Sequence, residues 1–178
     1  MANFPIQTAR LLLRPFRNED EEGLHRLWND PLVRRYLWDR RPVARSVVVE
    51  HIERSQRCFK EHGFGQFAIF PTQAPARIIG FAGLVPREKL GFVELYYGLL
   101  PSHWGRGLAT EAARAVLQFG FEEIGLPEIV ANSDIPNSPS FRVMERLGMT
   151  FAGDRRAGKL PVRYYRIRRE AFATTALR

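Results

Sequence analysis

Pro101-Ser102-His103-Trp104-Gly105-Arg106-Gly107-Leu108-Ala109-Thr110-Glu111-Ala112-Ala113 decides how the rest of the chain is read. It joins a strand-like run to a run with apolar residues at helical spacing. Gly105 and Gly107 let backbone amides approach a ligand with no Cβ in the way, and the positive end of the following helix dipole points at the same spot. Strand, tight glycine turn and helix N-terminus in succession make an anion site. No Gly-Lys-Ser or Gly-Lys-Thr follows, so this is not the nucleoside-triphosphate loop, and the dinucleotide fingerprint is not matched either.

Outward from this turn, residues 92–100 read as the strand that enters it. With residues 66–70 and 77–84 they form three β-rich runs separated by turn chemistry at 71–75 and 86–91, the pattern of an antiparallel meander. Residues 106–123 form the helix that leaves it, with Ala109, Ala112, Ala113, Val116, Leu117, Gly120 and Phe121 at helical spacing and small enough for close packing on a sheet. Upstream lies a strand over residues 8–16. A helix follows, with Asn18 and Glu21 as a capping box and Leu24, Leu27 and Trp28 on its inner face. After a short helix at 32–37, a longer one is capped by Ser46 and stopped by Gly63, with Val48, Ile52 and Cys58 or Phe59 turned inward. Downstream come a strand at 128–132 and a helix with Ser138 as cap and Pro139 in its first turn. That helix ends at Gly148. Strands at 149–152 and 162–168 follow, paired across a polar link at 153–160. This order supports a mixed α/β domain with one central sheet, and no repeat or linker divides residues 1–178.

At 178 residues, with 45% hydrophobic and 26% charged residues, the chain has the composition of one globular domain. The longest apolar stretch, Ile78-Ile79-Gly80-Phe81-Ala82-Gly83-Leu84-Val85, is far below membrane-spanning length, and Met1-Ala2-Asn3-Phe4-Pro5 is no export signal. We expect no membrane partner. The single cysteine, Cys58, fits a reducing cytoplasm and reads as a small buried hydrophobe. The net charge of +8 invites a nucleic-acid reading. Its arginines are scattered, with no basic helix, zinc spacing or RNA-binding signature, so no nucleic-acid partner is expected. A cationic surface suits a phosphorylated cosubstrate or an acidic substrate equally well.

Trp104-Gly105-Arg106-Gly107-Leu108-Ala109-Thr110-Glu111-Ala112 resembles the acetyl-CoA pyrophosphate loop of the GNAT superfamily of N-acetyltransferases. Asn137-x-x-Ser140-x-x-Val143-x-x-x-Leu147-Gly148-Met149 is similar to the segment closing the cofactor site in the branch that contains the ribosomal-protein N-terminal acetyltransferases. The opening Thr8-x-Arg10-Leu11-x-Leu13-Arg14, with Asp20 and Trp28-x-Asp30-x-x-Val33, is a third likeness. The resemblance covers nearly the whole chain. It implies an α/β GNAT-like fold: a mostly antiparallel sheet of about seven strands, splayed between the fourth and fifth and flanked by about four helices. It also implies a cytoplasmic enzyme moving acetyl from acetyl-CoA to a primary amine, on a small molecule or a protein N-terminus, without a metal, and it is compatible with a homodimer.

By the same resemblance, the pantetheine arm pairs with backbone at Tyr97, Gly98 and Leu99. Trp104, Gly105, Arg106, Gly107, Leu108, Ala109 and Thr110 form the pyrophosphate site, Asn137 meets the arm, and Ser140 sits near the sulfur. A thioester is already activated, so three tasks remain: deprotonating the amine, stabilising the oxyanion and stabilising the thiolate. Glu94 is the candidate base, an amide near Tyr97 or Gly98 the oxyanion donor, and Ser140 the thiolate partner. Each has a plainer alternative: a salt-bridged strand carboxylate for Glu94, a first-turn residue for Ser140 and a turn residue for Asn137. His103 lies beside the loop. The general-acid tyrosine found in many superfamily members seven residues after the asparagine is here Met144, which moves weight to Ser140 and leaves Tyr96, Tyr97, Tyr164 and Tyr165 as substitutes. Trp28, Tyr36, Trp38, Arg40 and Arg41 are candidates for the acceptor cleft or for core and surface. Specificity is expected in residues 31–42, the link at 153–160 and the last strand. The rival function is a non-catalytic CoA-binding or sensing module.

Overall fold

The three β-rich runs become the middle of a single sheet. In the computed structural model, which describes residues 4–157 and 160–176, the strands are β1 (Ile6–Gln7), β2 (Leu11–Pro15), β3 (Gln66–Pro71), β4 (Gly80–Arg87), β5 (Phe92–Leu99), β6 (Glu128–Asp134), β7 (Thr150–Ala157) and β8 (Leu160–Arg168). Their order is β1-β2-β3-β4-β5-β6-β8-β7. Neighbours pair antiparallel except β5 and β6, which run parallel. The helices are α1 (Glu21–Asn29), α2 (Arg45–His62), α3 (Leu108–Gln118), α4 (Ser138–Arg146) and α5 (Arg169–Ala176). The expected seven strands become eight because the chain turns back at Thr8, whose hydroxyl bonds the Leu11 amide at 3.0 Å, and Ile6–Gln7 adds an edge. The fifth helix continues from β8.

Strand alternation decides which helix covers which face. Leu95 and Leu99 of β5 pack with Leu108, Ala112, Ala113, Val116 and Leu117 of α3 and with Phe141 and Met144 of α4. Tyr96 turns the other way, into a cluster with Leu24, Leu27 and Trp28 of α1 and Val48 and Ile52 of α2. Ala112 and Ala113 are fully buried, and their lack of bulk lets α3 lie close on the sheet.

Helix starts differ from the sequence expectation where tertiary contacts intervene. The acid that closes the first turn near Asn18 is Asp20, not Glu21: it accepts the Arg17 amide at 2.8 Å and is clamped by Arg14 at 2.8 Å to each oxygen, while only 3% exposed. Ser46 does not cap α2, which begins at Arg45 after extended Ala44. Asn29 fixes that point by bonding both the amide and the carbonyl of Val43. Asn137, not Ser138, precedes the first residue of α4. The helix after the glycine turn starts at Leu108, because Gly107 lies at φ 75°, and it ends in a wider turn at Phe119–Glu123. The short helix expected at 32–37 becomes two tight turns, Arg34–Tyr36 and Trp38–Arg40. Most of the polar link is strand, and Gly158 and Lys159 lie outside the described residues. Among the described residues no helix is long and apolar enough to cross a membrane.

Candidate active site

The parallel pair β5–β6 meets at Glu94 and Val130. Towards their C-terminal ends the two strands separate. β5 stays bonded to β4 as far as Gly80–Leu99, and β6 stays bonded to β8 as far as Asp134–Val162. This is the expected splay, between the strands counted fourth and fifth in the sequence. The Leu100 amide bonds Ile79 of the loop before β4 at 2.8 Å. Since backbone groups alternate sides along a strand, those of Tyr97 and Leu99 point into the gap. The Leu99 carbonyl accepts the Trp104 indole N–H at 2.7 Å. A cleft of about 620 Å³ follows the gap to the glycine turn, and it is lined by Glu94, Tyr97, Gly98, Leu99, Trp104, Gly105, Gly107, Leu108, Ala109, Thr110, Asn137 and Ser140. Of the residues predicted to bind acetyl-CoA, together with Glu94 and Ser140, only Arg106 is absent from this lining; its carbonyl accepts Arg10 Nη1 at 2.9 Å.

Gly105 and Gly107 lie at φ 72° and 75°, the left-handed region that glycine occupies without a Cβ penalty. The first amides of α3 have no partner within the helix. The Thr110 hydroxyl beside them is buried and has no hydrogen-bond partner. An orphaned donor next to free helix amides is the complement of a phosphate oxygen, so the turn fits a pyrophosphate group. Glu111 would oppose an anion here, but its carboxylate is held against β2 by Thr8 at 2.6 Å, the Arg10 amide at 2.9 Å and the Arg10 guanidinium at 2.6 Å. Burial alone would raise the Glu111 pKa; these hydrogen bonds and the charge of Arg10 outweigh it and hold the carboxyl below its usual range.

Ser140, in the first turn of α4, faces Tyr97: the two hydroxyl oxygens are 2.7 Å apart and the phenol also donates to the Ser140 carbonyl at 3.0 Å. Burial raises the Tyr97 pKa strongly, against the hydrogen bond to Ser140, so the phenol keeps its proton. Met144, where a tyrosine is missing, is buried in the core on the same helix. Asn137 donates to Ser133 Oγ at 2.8 Å across the start of that helix.

Glu94 approaches the gap from the other face, the one covered by α1 and α2. It is 3% exposed. Arg87 Nε donates to one oxygen at 2.5 Å and Asn132 Nδ2 donates to the other. Arg87 also donates to the Tyr96 hydroxyl. Burial pushes the Glu94 pKa up and the Arg87 charge and hydrogen bond pull it down, with burial prevailing. Sequence reading missed Arg87 and Asn132. Arg87 is visible in retrospect: Val85 pairs with Glu94 and Arg87 with Phe92, so once the turn at Glu88–Leu90 is placed, Arg87 falls on the same face, diagonal to Glu94.

A second cavity, of about 780 Å³, opens between α2 and the end of β4, and Leu37, Trp38 and Tyr96 line both cavities. Tyr36 and Trp38 thus border the cleft as expected, and the Tyr36 hydroxyl bridges to the Pro136 carbonyl at 3.3 Å. Trp28 is buried in the core and its edge lines the second cavity, whereas neither Arg40 nor Arg41 lines either cavity. His103 lines the cleft, with a pKa lowered by burial and by Arg106. Tyr165 bonds Glu145 instead, at 3.1 Å, whereas Tyr164 feels the charge of Glu94. Among the described residues no group of three His, Cys, Asp or Glu side chains is placed to hold a metal ion.

Comparison with known proteins agrees with this geometry. The family described as Acetyltransferase (GNAT) domain matches residues 10–150. The chain is 32% identical to an uncharacterised protein of Bacillus subtilis, YkkB, over 92% of this chain and 95% of that protein. It is 28% identical to the spermidine N(1)-acetyltransferase of Escherichia coli, over 80% and 74%. An acetyltransferase of the GNAT family from Bacillus anthracis superposes with a TM-score of 0.78 at 26% identity, covering 94% and 99% of the two chains. RimL, the ribosomal L7/L12 α-N-protein acetyltransferase, solved with coenzyme A, shares the fold with a TM-score of 0.79 at 18% identity, over 94% and 99%.

Proposed function

This chain belongs to the GNAT acetyltransferases, acetyl-CoA-dependent N-acyl transfer enzymes, and within that family we propose that it acetylates a primary amine by direct attack in a ternary complex. The observation that carries the proposal is the gap between β5 and β6. It leads from free amides and the orphaned Thr110 hydroxyl, past Ser140, to a buried carboxylate on the opposite face. In this reading the amides of Gly105 to Thr110 hold the pyrophosphate, the edge of β5 at Tyr97 and Leu99 pairs with the pantetheine arm as a substitute strand, and Asn137 meets the same arm. Glu94 takes the proton that the attacking nitrogen must lose, directly or through water. As the N–C bond forms, the Tyr97 amide, on the gap edge of β5, stabilises the carbonyl oxygen. As the C–S bond breaks, the Ser140 hydroxyl, backed by Tyr97, stabilises the departing thiolate. An acyl-enzyme on Cys58 is disfavoured, since burial first and Glu61 second push that thiol to about 11.

One observation favours a second reading, a CoA-binding module without catalysis: Arg87 and Asn132 already occupy both oxygens of Glu94. Incubation of purified protein with acetyl-CoA and a broad amine panel, followed by free thiol, separates the two. Thiol release with an amine supports the transferase; tight acetyl-CoA binding with no thiol from any amine supports the module.

A further inference from the structure

We infer that the acceptor is an amine that also carries a carboxylate, and that the cavity between α2 and the end of β4 binds that carboxylate. The inference rests on the transferase reading above and narrows it. This cavity shares Leu37, Trp38 and Tyr96 with the cleft, and Arg87, which lines it, bonds Glu94, so an acceptor that reaches past these side chains brings its amine beside Glu94. Beside an apolar wall that includes Phe81, Leu84 and Val85, the lining carries a row of donors along α2. Trp38 packs on His51 with ring centroids 4.5 Å apart. Arg54 stands one helical turn further along α2, about 4.5 Å by helix rise, and Arg57 follows. Lys89, in the turn after β4, lines the same cavity. Arg54 and Lys89 make no ion pair among the described residues, and Arg57 reaches only Glu53 of its own helix, at 3.9 Å.

The acids that line the cavity are Glu61 and Glu88. Glu61 lies at the far end of α2, beside His62 at 4.0 Å. Among the described residues, the carboxylate on the same sheet face as Tyr96 at the junction is Glu94, and Arg87 and Asn132 hold it. His51 adds no positive charge of its own, because burial and then Arg54 lower its pKa. A second feature points to an oxygen-bearing ligand. The Trp38 indole N–H is buried without an acceptor among the described residues, and Trp38 itself is held at φ 56°, a conformation that is unusual for a bulky side chain and gathers at functional sites. A polyamine needs several unpaired carboxylates to replace the water around its charges, whereas this cavity is lined by Arg54, Arg57, Arg87 and Lys89 against the two acids Glu61 and Glu88, an excess of positive charge. The likeness to a spermidine acetyltransferase therefore does not extend to the acceptor.

The test compares acceptors matched in size: aspartate and glutamate, their side-chain and α-carboxyl amides, peptides beginning with Asp or with Lys, and spermidine. Initial rates of thiol release are read with wild-type protein and with Arg54→Glu and Lys89→Glu, both at exposed positions. We expect kcat/KM about tenfold higher for a carboxylate acceptor than for its amide, shrinking as salt is added. Each charge reversal lowers that ratio about fivefold and leaves acetyl-CoA affinity unchanged. Free amino acid against acidic peptide distinguishes the two sources of the carboxylate. Equal rates for acid and amide, or a preference for spermidine, overturns the inference and leaves the transferase reading standing. Absence of thiol with every amine, in protein that binds acetyl-CoA, takes down both.

Discussion

Replacing Ser140 with alanine separates two effects of different size. In the folded protein the Ser140 hydroxyl lies 2.7 Å from the Tyr97 hydroxyl, and a hydrogen bond of that kind contributes about 1 kcal/mol net to stability. For a chain of this length that is a fall of roughly 2–4 °C in Tm. A group that donates a proton or hydrogen bond to the leaving thiolate contributes far more, about 10²–10⁴ in rate, or roughly 3–5 kcal/mol. Ser140→Ala should therefore lower kcat by about 100-fold or more, move Tm by a few degrees, and leave acetyl-CoA affinity unchanged. Tyr97→Phe tests how the serine is aimed. When the phenol's one proton turns from the Ser140 carbonyl to Ser140 Oγ, the serine hydrogen is left for the thiolate; removing the phenol frees the serine to rotate and lowers kcat about tenfold. Because both act on one group, the double variant should be no slower than Ser140→Ala alone. The assay is thiol release at saturating acetyl-CoA and amine, with acetyl-CoA affinity measured by titration calorimetry. A kcat for Ser140→Ala within about threefold of wild type, or a loss confined to KM, would refute the role.

Glu94→Gln should reduce kcat/KM about 100-fold while the melting curve stays close to wild type, since the amide oxygen still accepts from Arg87 and the amide NH2 donates to Asn132 once that side chain turns its oxygen inward. In wild type, burial raises the Glu94 pKa, so the acidic limb of the kcat/KM profile should lie above the ordinary carboxylate range. The same shift makes wild-type stability fall as pH rises from the unfolded carboxyl pKa through the folded one, a trend that thermal melts of Glu94→Gln should lack. Thr110→Val removes a buried hydroxyl that has no partner; melting should be unchanged or slightly higher, and acetyl-CoA should bind about threefold to tenfold more weakly. Gly107→Ala puts a Cβ on a residue at φ 75°, which costs about 1 kcal/mol, and both Tm and acetyl-CoA affinity should fall.

The parts of the fold that were legible in the sequence are those governed by local periodicity. The apolar spacing from Ala109 to Leu117 and the three β-rich runs gave α3 and the meander because their patterns have one buried face each. Helix starts were less legible. Ser46 is a good cap by type, yet α2 starts where Asn29 grips Val43, a contact across residues far apart in sequence. At the site, Gly105, Gly107 and Thr110 could be read from a contiguous turn. The partners of Glu94 could not, because Asn132 arrives from a strand whose register no local signal sets, and Arg87 needs the hairpin turn to be placed first. The Tyr97–Ser140 contact crosses the gap between two strands that have parted, and nothing in either segment announces it.

The central claim is tested most directly by incubating the protein with acetyl-CoA and the amine panel while following both free thiol and the mass of the amine. The account predicts thiol release in step with formation of an acetylated amine by wild type, and its collapse in Glu94→Gln and Ser140→Ala proteins that still bind acetyl-CoA. Wild-type protein that binds acetyl-CoA and yields neither thiol nor acetylated amine would contradict it.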